Sequence, residues 1–166
     1  SGTIMRNDAY RFIRLGTFVE RADNTLRLLD ARYEMFGEES EEVSDLSARG
    51  YNKKKKKKHE LSSFEEYTEL YPNALNARSV SELLLLRSDV PRSLHACIEE
   101  LSHILADLPG SYGRTAQRLA AEFEARLRYT GIDEILEDGL HRRLTEFIEG
   151  VRELAGAVQS SYLEVV

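Results

Sequence analysis

Residues 7–36 decide the fold, and they read NDAYRFIRLGTFVERADNTLRLLDARYEMF. Apolar residues return at every third or fourth position of this stretch, and at about 100° per residue that spacing places them on one face of a helix. The pattern predicts one long amphipathic helix, and Gly37 predicts where it ends because glycine commonly follows the last turn of a helix. The apolar positions are Phe12, Leu15, Phe18, Val19, Ala22, Leu26, Leu29 and Tyr33.

Three later segments show the same spacing and predict further long helices over residues 91–107, residues 112–129, and from residue 133 or 139 to residue 163. The three prolines, Pro72, Pro91 and Pro109, lie at the ends of these patterns, where helices tolerate them. The inward positions are Leu94, Cys97, Ile98, Leu101, Ile104, Leu105 and Leu108, then Ala116, Leu119, Ala120, Phe123 and Leu127, then Leu140, Leu144, Phe147, Ile148, Val151, Leu154, Val158 and Tyr162.

Two capping boxes predict two short helices, over residues 64–71 and 79–87. Ser63 precedes Glu66 by three positions, and Ser79 precedes Glu82 in the same way. Each pair offers a hydroxyl and a carboxylate that can bond the free amides at a helix start. No segment alternates with the period of a strand, so the sequence predicts an all-α fold, an antiparallel bundle of four to six helices.

The chain has 166 residues and a mass of 19.0 kDa, which suits one domain over residues 1–166. Residues 1–4 are interpreted as a tag or the start of a fragment. Residues 37–62 are rich in charge and serine, and they are predicted to form an exposed loop. Within it, Lys53–Lys58 is expected to be a solvated tract because neighbouring like charges repel each other on a helix.

Charge and cysteine content restrict the partners and the compartment. The formal net charge of -6 argues against nucleic-acid binding, which needs a basic surface. No apolar run is long enough to predict a membrane span. Cys97, the single cysteine, cannot form an internal disulfide, which favours a cytoplasmic protein, and its apolar surroundings predict a core residue rather than a nucleophile.

The first predicted helix carries an unusual polar stripe, defined here as Glu20, Asn24 and Arg27, with Arg21 beside it. These residues share a face that points away from the apolar positions, and together they offer a carboxylate, an amide and a bidentate donor. Three interpretations remain open at this point: a solvated face with local ion pairs, a polar layer buried under another helix, and a binding or catalytic surface.

The histidines give a weaker signal. His95, Glu99 and His103 are spaced four apart and share a helix face, but the Glu-x-x-His pairs of dinuclear bundles are missing, so we expect no metal site. His141 follows Gly139 and is expected near a helix start. No phosphate-binding glycine loop or nucleophile motif is found, so the catalytic residues are unknown and no cofactor is expected.

Three separated motifs resemble one family. In content and order, these motifs are similar to those of the bacterial alpha-E domain, an all-helical family named for its Glu-Arg motif. The first comprises residues 5–16 with Val19-Glu20-Arg21-Ala22-Asp23-Asn24-Thr25 and Arg27-Leu28-Leu29-Asp30. The second is Pro91-Arg92-Ser93-Leu94-His95, and the third is Gly139-Leu140-His141. The resemblance covers nearly the whole chain, which corresponds to the C-terminal half of longer members. The departure is at residues 50–58, where the family has a helix and this chain has lysines.

This resemblance implies a context rather than an activity. Alpha-E proteins are typically encoded beside, or fused to, a circularly permuted ATP-grasp protein, and often near a transglutaminase-like protease. ATP-grasp enzymes form amide or similar bonds through an acyl phosphate, so the implied system makes or modifies a peptide. As half of a longer domain, the chain could be a fragment, a short member or one half of a homodimer.

Three functional hypotheses follow. The first is an accessory helical module of an ATP-grasp-linked system, with Glu20, Arg21, Asn24 and Arg27 as a partner or substrate surface. The second is an enzyme acting on a small amine, carboxylate or peptide substrate, with Glu20 as acid/base and Arg27 or Arg92 holding a carboxylate. The third is a purely structural dimerisation bundle. The candidate binding or interface residues are Glu20, Arg21, Asn24, Arg27, Arg92, His95 and His141.

Overall fold

The computed structural model describes the backbone of residues 6–45, 77–108 and 113–165, with side chains described for residues 8–32, 77–108 and 113–161. Six α-helices and no strands occur within these ranges. The all-α prediction is therefore confirmed. The helices are α1 (Arg6–Asp45), α2 (Ala77–Leu86), α3 (Leu94–Ala106), α4 (Arg114–Tyr129), α5 (Ile132–Asp138) and α6 (Leu140–Val165).

The four long helices form the bundle, in which α1 packs between α3 and α6, and α4 packs between the same two helices on the opposite side. Contacts along α1 and α3 show that neighbours run antiparallel, because Arg14 pairs with Glu100 whereas Thr25 bonds Arg92. The other neighbouring helices are antiparallel as well. Between α3 and α4, Leu105 lies near Gln117 and His95 near Glu124. The corresponding pairs are Phe123 with Phe147 and Gly113 with Ser161 between α4 and α6, and Phe12 with Val158 and Asp30 with His141 between α1 and α6.

The apolar face of α3 is the centre of the core. Its six predicted inward residues from Leu94 to Leu105 are all buried, as is Leu108 just beyond its end, and Leu94, Cys97, Ile98, Leu101 and Leu105 have no exposed surface. Burial of each large aliphatic side chain contributes about 1.5–3 kcal/mol. The helix begins at Leu94 rather than in a first turn at Pro91, because the Ser93 hydroxyl accepts a hydrogen bond from the Ala96 amide at 3.0 Å and caps the end.

The predicted end of the first helix at Gly37 is wrong, because α1 continues to Asp45. Residues 37–45 of the predicted loop over 37–62 are therefore helical. A glycine inside a helix costs only about 1 kcal/mol relative to alanine, and the four glutamates that follow it are good helix formers. The lysine tract and the predicted helix over residues 64–71 lie outside the described residues.

Helix α2 begins at Ala77, so Ser79 lies within its first turn and is not the N-cap that the capping box predicted. The sequence predicts the start of the last helix at residue 133 or 139, and the later start is confirmed because α6 begins at Leu140. Gly139, with φ +96°, separates α6 from the short helix α5. That conformation suits glycine, which has no Cβ. Helix α5 packs against α2, where Arg78 binds Asp133 through two hydrogen bonds of 3.0 and 3.2 Å.

None of the helices in the described part of the chain combines the length and the apolar character that crossing a bilayer requires.

Two glycines of α6 provide a matched test of the packing between α4 and α6. A Cβ on Gly150 would lie 2.6 Å from Cε2 of Phe123, whose ring stacks on Phe147, whereas a Cβ on Gly156 would meet no atom within 4 Å. We expect Gly150→Ala to lower the free energy of unfolding by about 1–3 kcal/mol through overpacking. Gly156→Ala should raise it by up to about 1 kcal/mol.

Urea denaturation followed by circular dichroism measures both changes. Equal effects of the two substitutions would contradict the close approach of α4 and α6 at Gly150.

Candidate functional site

The three sequence motifs meet at one end of the bundle, which we call the motif end. It consists of residues 20–30 of α1, the start of α3, the last turns of α4 and the start of α6. The Thr25 hydroxyl donates a 2.7 Å hydrogen bond to the carbonyl oxygen of Arg92, and Nδ1 of His141 lies 3.0 Å from Oδ1 of Asp30. The Glu-Arg, Pro-Arg-Ser-Leu-His and Gly-Leu-His stretches are thus held together by direct contacts.

The loop between α2 and α3 is held by hydrogen bonds within itself, and it places His95 at the motif end. The Ser93 hydroxyl donates a 2.6 Å hydrogen bond to the Arg87 carbonyl oxygen, and the Val90 amide bonds the same carbonyl at 3.1 Å. Arg87 in turn holds Asp89 through two contacts of 2.8 and 2.6 Å, which lower the pKa of the Asp89 carboxyl. Because Ser93 also caps α3, His95 occupies a fixed position in its first turn.

His95 is buried between two hydrogen-bond acceptors. Its Nδ1 lies 3.0 Å from the carbonyl oxygen of Leu86, and its Nε2 lies 3.1 Å from Oε1 of Glu124. The side chains of His95 and Glu124 retain only 7% and 12% of their accessible surface. A carbonyl oxygen only accepts, so Nδ1 carries the proton of that hydrogen bond. Nε2 is thereby turned toward the Glu124 carboxylate.

Arg128 completes this cluster from the surface, donating hydrogen bonds of 3.0 Å from Nε and 2.6 Å from Nη2 to Oε1 of Glu124. Burial acts to raise the pKa of the Glu124 carboxyl, but the hydrogen bonds from His95 and Arg128 outweigh it and lower the pKa. We call His95, Glu124 and Arg128 the ion cluster. It joins α3 to α4, and its link to Leu86 joins both to α2.

The polar stripe lies on the surface. Glu20, Arg21, Asn24 and Arg27 are all exposed, so the described structure does not contain the buried polar layer that was one interpretation. Arg27 bonds Asp23 at 2.8 Å rather than Glu20, and that hydrogen bond raises the pKa of the guanidinium. Arg21 lies over the ring of Phe18, with 5.3 Å between the guanidinium carbon and the ring centroid.

The remaining predicted residues also lie at the motif end. Arg92 is exposed, and its backbone rather than its side chain makes the contact with Thr25. His141 is the second residue of α6, as expected for a position near a helix start, and 59% of its side chain is exposed beside Asp30. His95 is buried, which separates it from the exposed candidates.

Apolar residues extend the exposed surface of α1 beyond the polar stripe. Tyr10, Ile13 and Leu28 are exposed by 62%, 69% and 53%. An open groove of about 530 Å³ runs between α1 and α6 next to Ile13. The groove is lined by Ala9, Phe12, Ile13, Gly16, Val19, Ala155, Val158 and Gln159.

The sequence analysis did not identify Glu124, although its position in the apolar pattern of α4 marks it as unusual. Glu124 is buried on the same side of α4 as Ala120, Phe123 and Leu127. A charged residue among inward positions needs a partner, and that requirement could have marked it. The partner itself was not recognisable because His95 lies on another helix, and only the antiparallel pairing of α3 with α4 brings the two together.

Comparison with known proteins gives the class of this domain. Residues 1–163 match the Alpha-E family, described as a predicted alpha-helical domain with a conserved ER motif. The chain belongs to this family, and Glu20-Arg21 is its single Glu-Arg dipeptide.

The chain is also similar to the uncharacterized protein Mb2597 of Mycobacterium bovis and the uncharacterized protein Rv2567 of Mycobacterium tuberculosis. Each is 34% identical over 93 residues, which cover 51% of this chain and 10% of the relative. The matched part of the chain therefore spans about a tenth of the length of these curated relatives. No solved structure matches it.

Cys97 should be inert in the folded protein. The thiol is fully buried in the core, and burial raises its pKa, which disfavours the reactive thiolate. We expect reaction with Ellman's reagent at pH 8 to be at least about 100-fold slower in the native chain than in urea-unfolded chain, since reaction requires opening of the core. Rapid stoichiometric labelling of native protein would contradict this burial.

The ion cluster should make the free energy of unfolding depend on pH in the acidic range. Because the pKa of Glu124 is lower in the folded state, its carboxylate contributes stability that is complete above about pH 4.5 and is lost as the pH falls through the folded-state pKa. We expect Glu124→Gln to lower the free energy of unfolding at pH 7 by about 1–3 kcal/mol.

The same substitution should flatten the decline of stability between about pH 5 and pH 3. Urea titrations across this range measure both effects. Glu122→Gln, an exposed change on the same helix, is the control and should match the wild type. An unchanged pH profile in Glu124→Gln would contradict the assignment.

Proposed function

We propose that this domain is an accessory helical module of a bacterial ATP-grasp-linked system that forms peptide or amide bonds, and that it acts by binding a protein partner. The observation that carries the proposal is the outer face of α1, defined here as the polar stripe together with Tyr10, Ile13 and Leu28. Polar and large apolar side chains are both exposed along this face.

The composition of the outer face supports a protein interface. Single exposed apolar residues are ordinary, but Tyr10 and Ile13 lie about one turn apart on α1, and Ile13 lines an apolar groove, a combination that interaction sites use. Interfaces favour an apolar centre with arginine and tyrosine, and the face supplies Tyr10, Arg21 and Arg27. The nearby polar stripe adds donors and acceptors that can fix the orientation of a partner.

The context supports the identity of the partner. The matched segment makes up only 10% of each relative, so the relatives carry a similar segment beside other polypeptide. The alpha-E resemblance implies an ATP-grasp protein as the neighbour. A cytoplasmic setting is part of the proposal, because ATP is available there and the single buried Cys97 needs no disulfide.

The enzyme hypothesis receives less support from the geometry. It needs Glu20 in a concave site with Arg27 or Arg92, yet all three side chains are exposed and none lines the groove between α1 and α6. A binding role requires only that these side chains be accessible. The interface is therefore the function that this arrangement supports best.

Binding to an ATP-grasp protein, the neighbour that the family resemblance implies, tests the proposal. We expect Ile13→Asp to weaken binding at least about tenfold in calorimetry, because it places a charge in the apolar centre of the interface. Leu83→Asp is the matched control, since Leu83 is an exposed apolar residue on α2, away from this face. Glu20→Ala and Arg27→Ala should also reduce binding, whereas Glu149→Ala and Arg152→Ala, in an exposed ion pair of α6, should not.

ATP turnover by the ATP-grasp protein, with and without this chain, reports whether binding affects catalysis. Failure of the folded wild-type chain to bind would overturn the proposal. Light scattering after gel filtration identifies the alternative, since a homodimer that Ile13→Asp converts to monomer would show that the outer face binds a second copy instead.

A further inference from the structure

The ion cluster has an additional member with an unusual environment. Glu99 lies one turn beyond His95 on α3, and one ligand atom each from His95, Glu99 and Glu124 lie within 4.8 Å of one another. Glu99 is half-buried, and no donor among the described residues bonds its carboxylate. Two carboxylates and an imidazole therefore converge at one place.

The hydrogen-bond donors of the ion cluster all point at one oxygen of the two carboxylates. Both hydrogen bonds of Arg128 and the contact from His95 end on Oε1 of Glu124. Glu99 faces the cluster without a cation of its own in the described structure. A negative group held close to another in a partly dry place favours binding of a further cation.

The geometry points to a divalent transition-metal site formed by Nε2 of His95 and the carboxylates of Glu99 and Glu124. One imidazole and two carboxylates form a ligand set that Zn²⁺ accepts, with a fourth position left for water. Metal ligands at about 2.1 Å from a tetrahedral ion lie about 3.4 Å apart. Nε2 of His95 and Oε1 of Glu124, at 3.1 Å, are already close to that spacing, and the Glu99 carboxylate, within 4.8 Å of both, completes the set by a small inward shift.

The surroundings of His95 suit this role. A metal-ligating histidine usually donates its second N–H to a carbonyl or carboxylate, and Nδ1 of His95 already faces the Leu86 carbonyl oxygen at 3.0 Å. That bond orients the ring with Nε2 toward the two carboxylates. On metal binding, Nε2 gives its lone pair to the ion.

Arg128 acts as the internal competitor of the metal. Its guanidinium occupies Oε1 of Glu124, but 57% of its side chain is exposed, so it can turn into water when an ion binds. Removal of Arg128 should therefore strengthen metal binding. This expectation separates a metal site from a purely structural ion pair, which the same removal would only weaken.

Calorimetric titration of the metal-free 166-residue chain with Zn²⁺ tests the site. We expect one Zn²⁺ per chain, with affinity at least about tenfold weaker in Glu99→Gln. Arg128→Ala should bind at least about threefold more tightly, since the competing cation is gone. Circular dichroism confirms that each variant is folded, and Glu99 is chosen because its loss breaks no hydrogen bond in the described structure.

Two controls locate the ion. Glu100→Gln changes the neighbouring, surface-paired carboxylate of the same helix, and His103→Ala removes an exposed histidine of α3. Both should bind Zn²⁺ like the wild type. Absorption of a Co²⁺ complex in the visible range, lost in Glu99→Gln, would support tetrahedral binding at this site.

The proposal is overturned if neither the wild type nor Arg128→Ala binds Zn²⁺ at about 1 mM, or if Glu99→Gln binds as well as the wild type. It does not depend on the proposed partner, because metal binding is measured on the isolated chain.

Discussion

The apolar face of α3 is the constraint on which the rest of the structure depends. This short helix packs against α1, α2 and α4, and its inward side chains are almost completely removed from water. The Ser93 cap fixes where the helix begins, and the beginning fixes the position of His95. The antiparallel order of the bundle then brings the start of α3 to the end of α4, so the ion cluster follows from the same packing that builds the core.

Helix type and inward faces could be predicted from the sequence because they depend on local spacing. In α3, the apolar residues spaced by three or four positions are the buried ones. Cys97 is one of them and is a core residue as predicted. Helix ends were less predictable. Gly37 is tolerated inside α1 because a single glycine costs little against a run of good helix formers, whereas Gly139 does interrupt the chain because its backbone adopts a positive φ.

The candidate site could be predicted only in part. The polar stripe was visible in the sequence because its residues lie on one helix, and the structure leaves it exposed. The convergence of His95, Glu99 and Glu124 was not visible, since it depends on which helices become neighbours. The motif end therefore combines two kinds of surface, an accessible one on α1 and α6 and an enclosed one between α3 and α4. The first suits recognition of a partner, and the second holds charge away from water.

Gly139 has a wider consequence for the topology of the chain. Residues on both sides of it have helical patterns, and the sequence alone left the start of the last helix at either side of this glycine. Any other residue at this position would carry a Cβ, for which positive φ is unfavourable, so substitution would strain the junction between α5 and α6. The direction of α5 at this junction places Ile132 and Ile135 in the core and Asp133 beside Arg78. The backbone of one glycine thus sets which neighbour the short helix reaches.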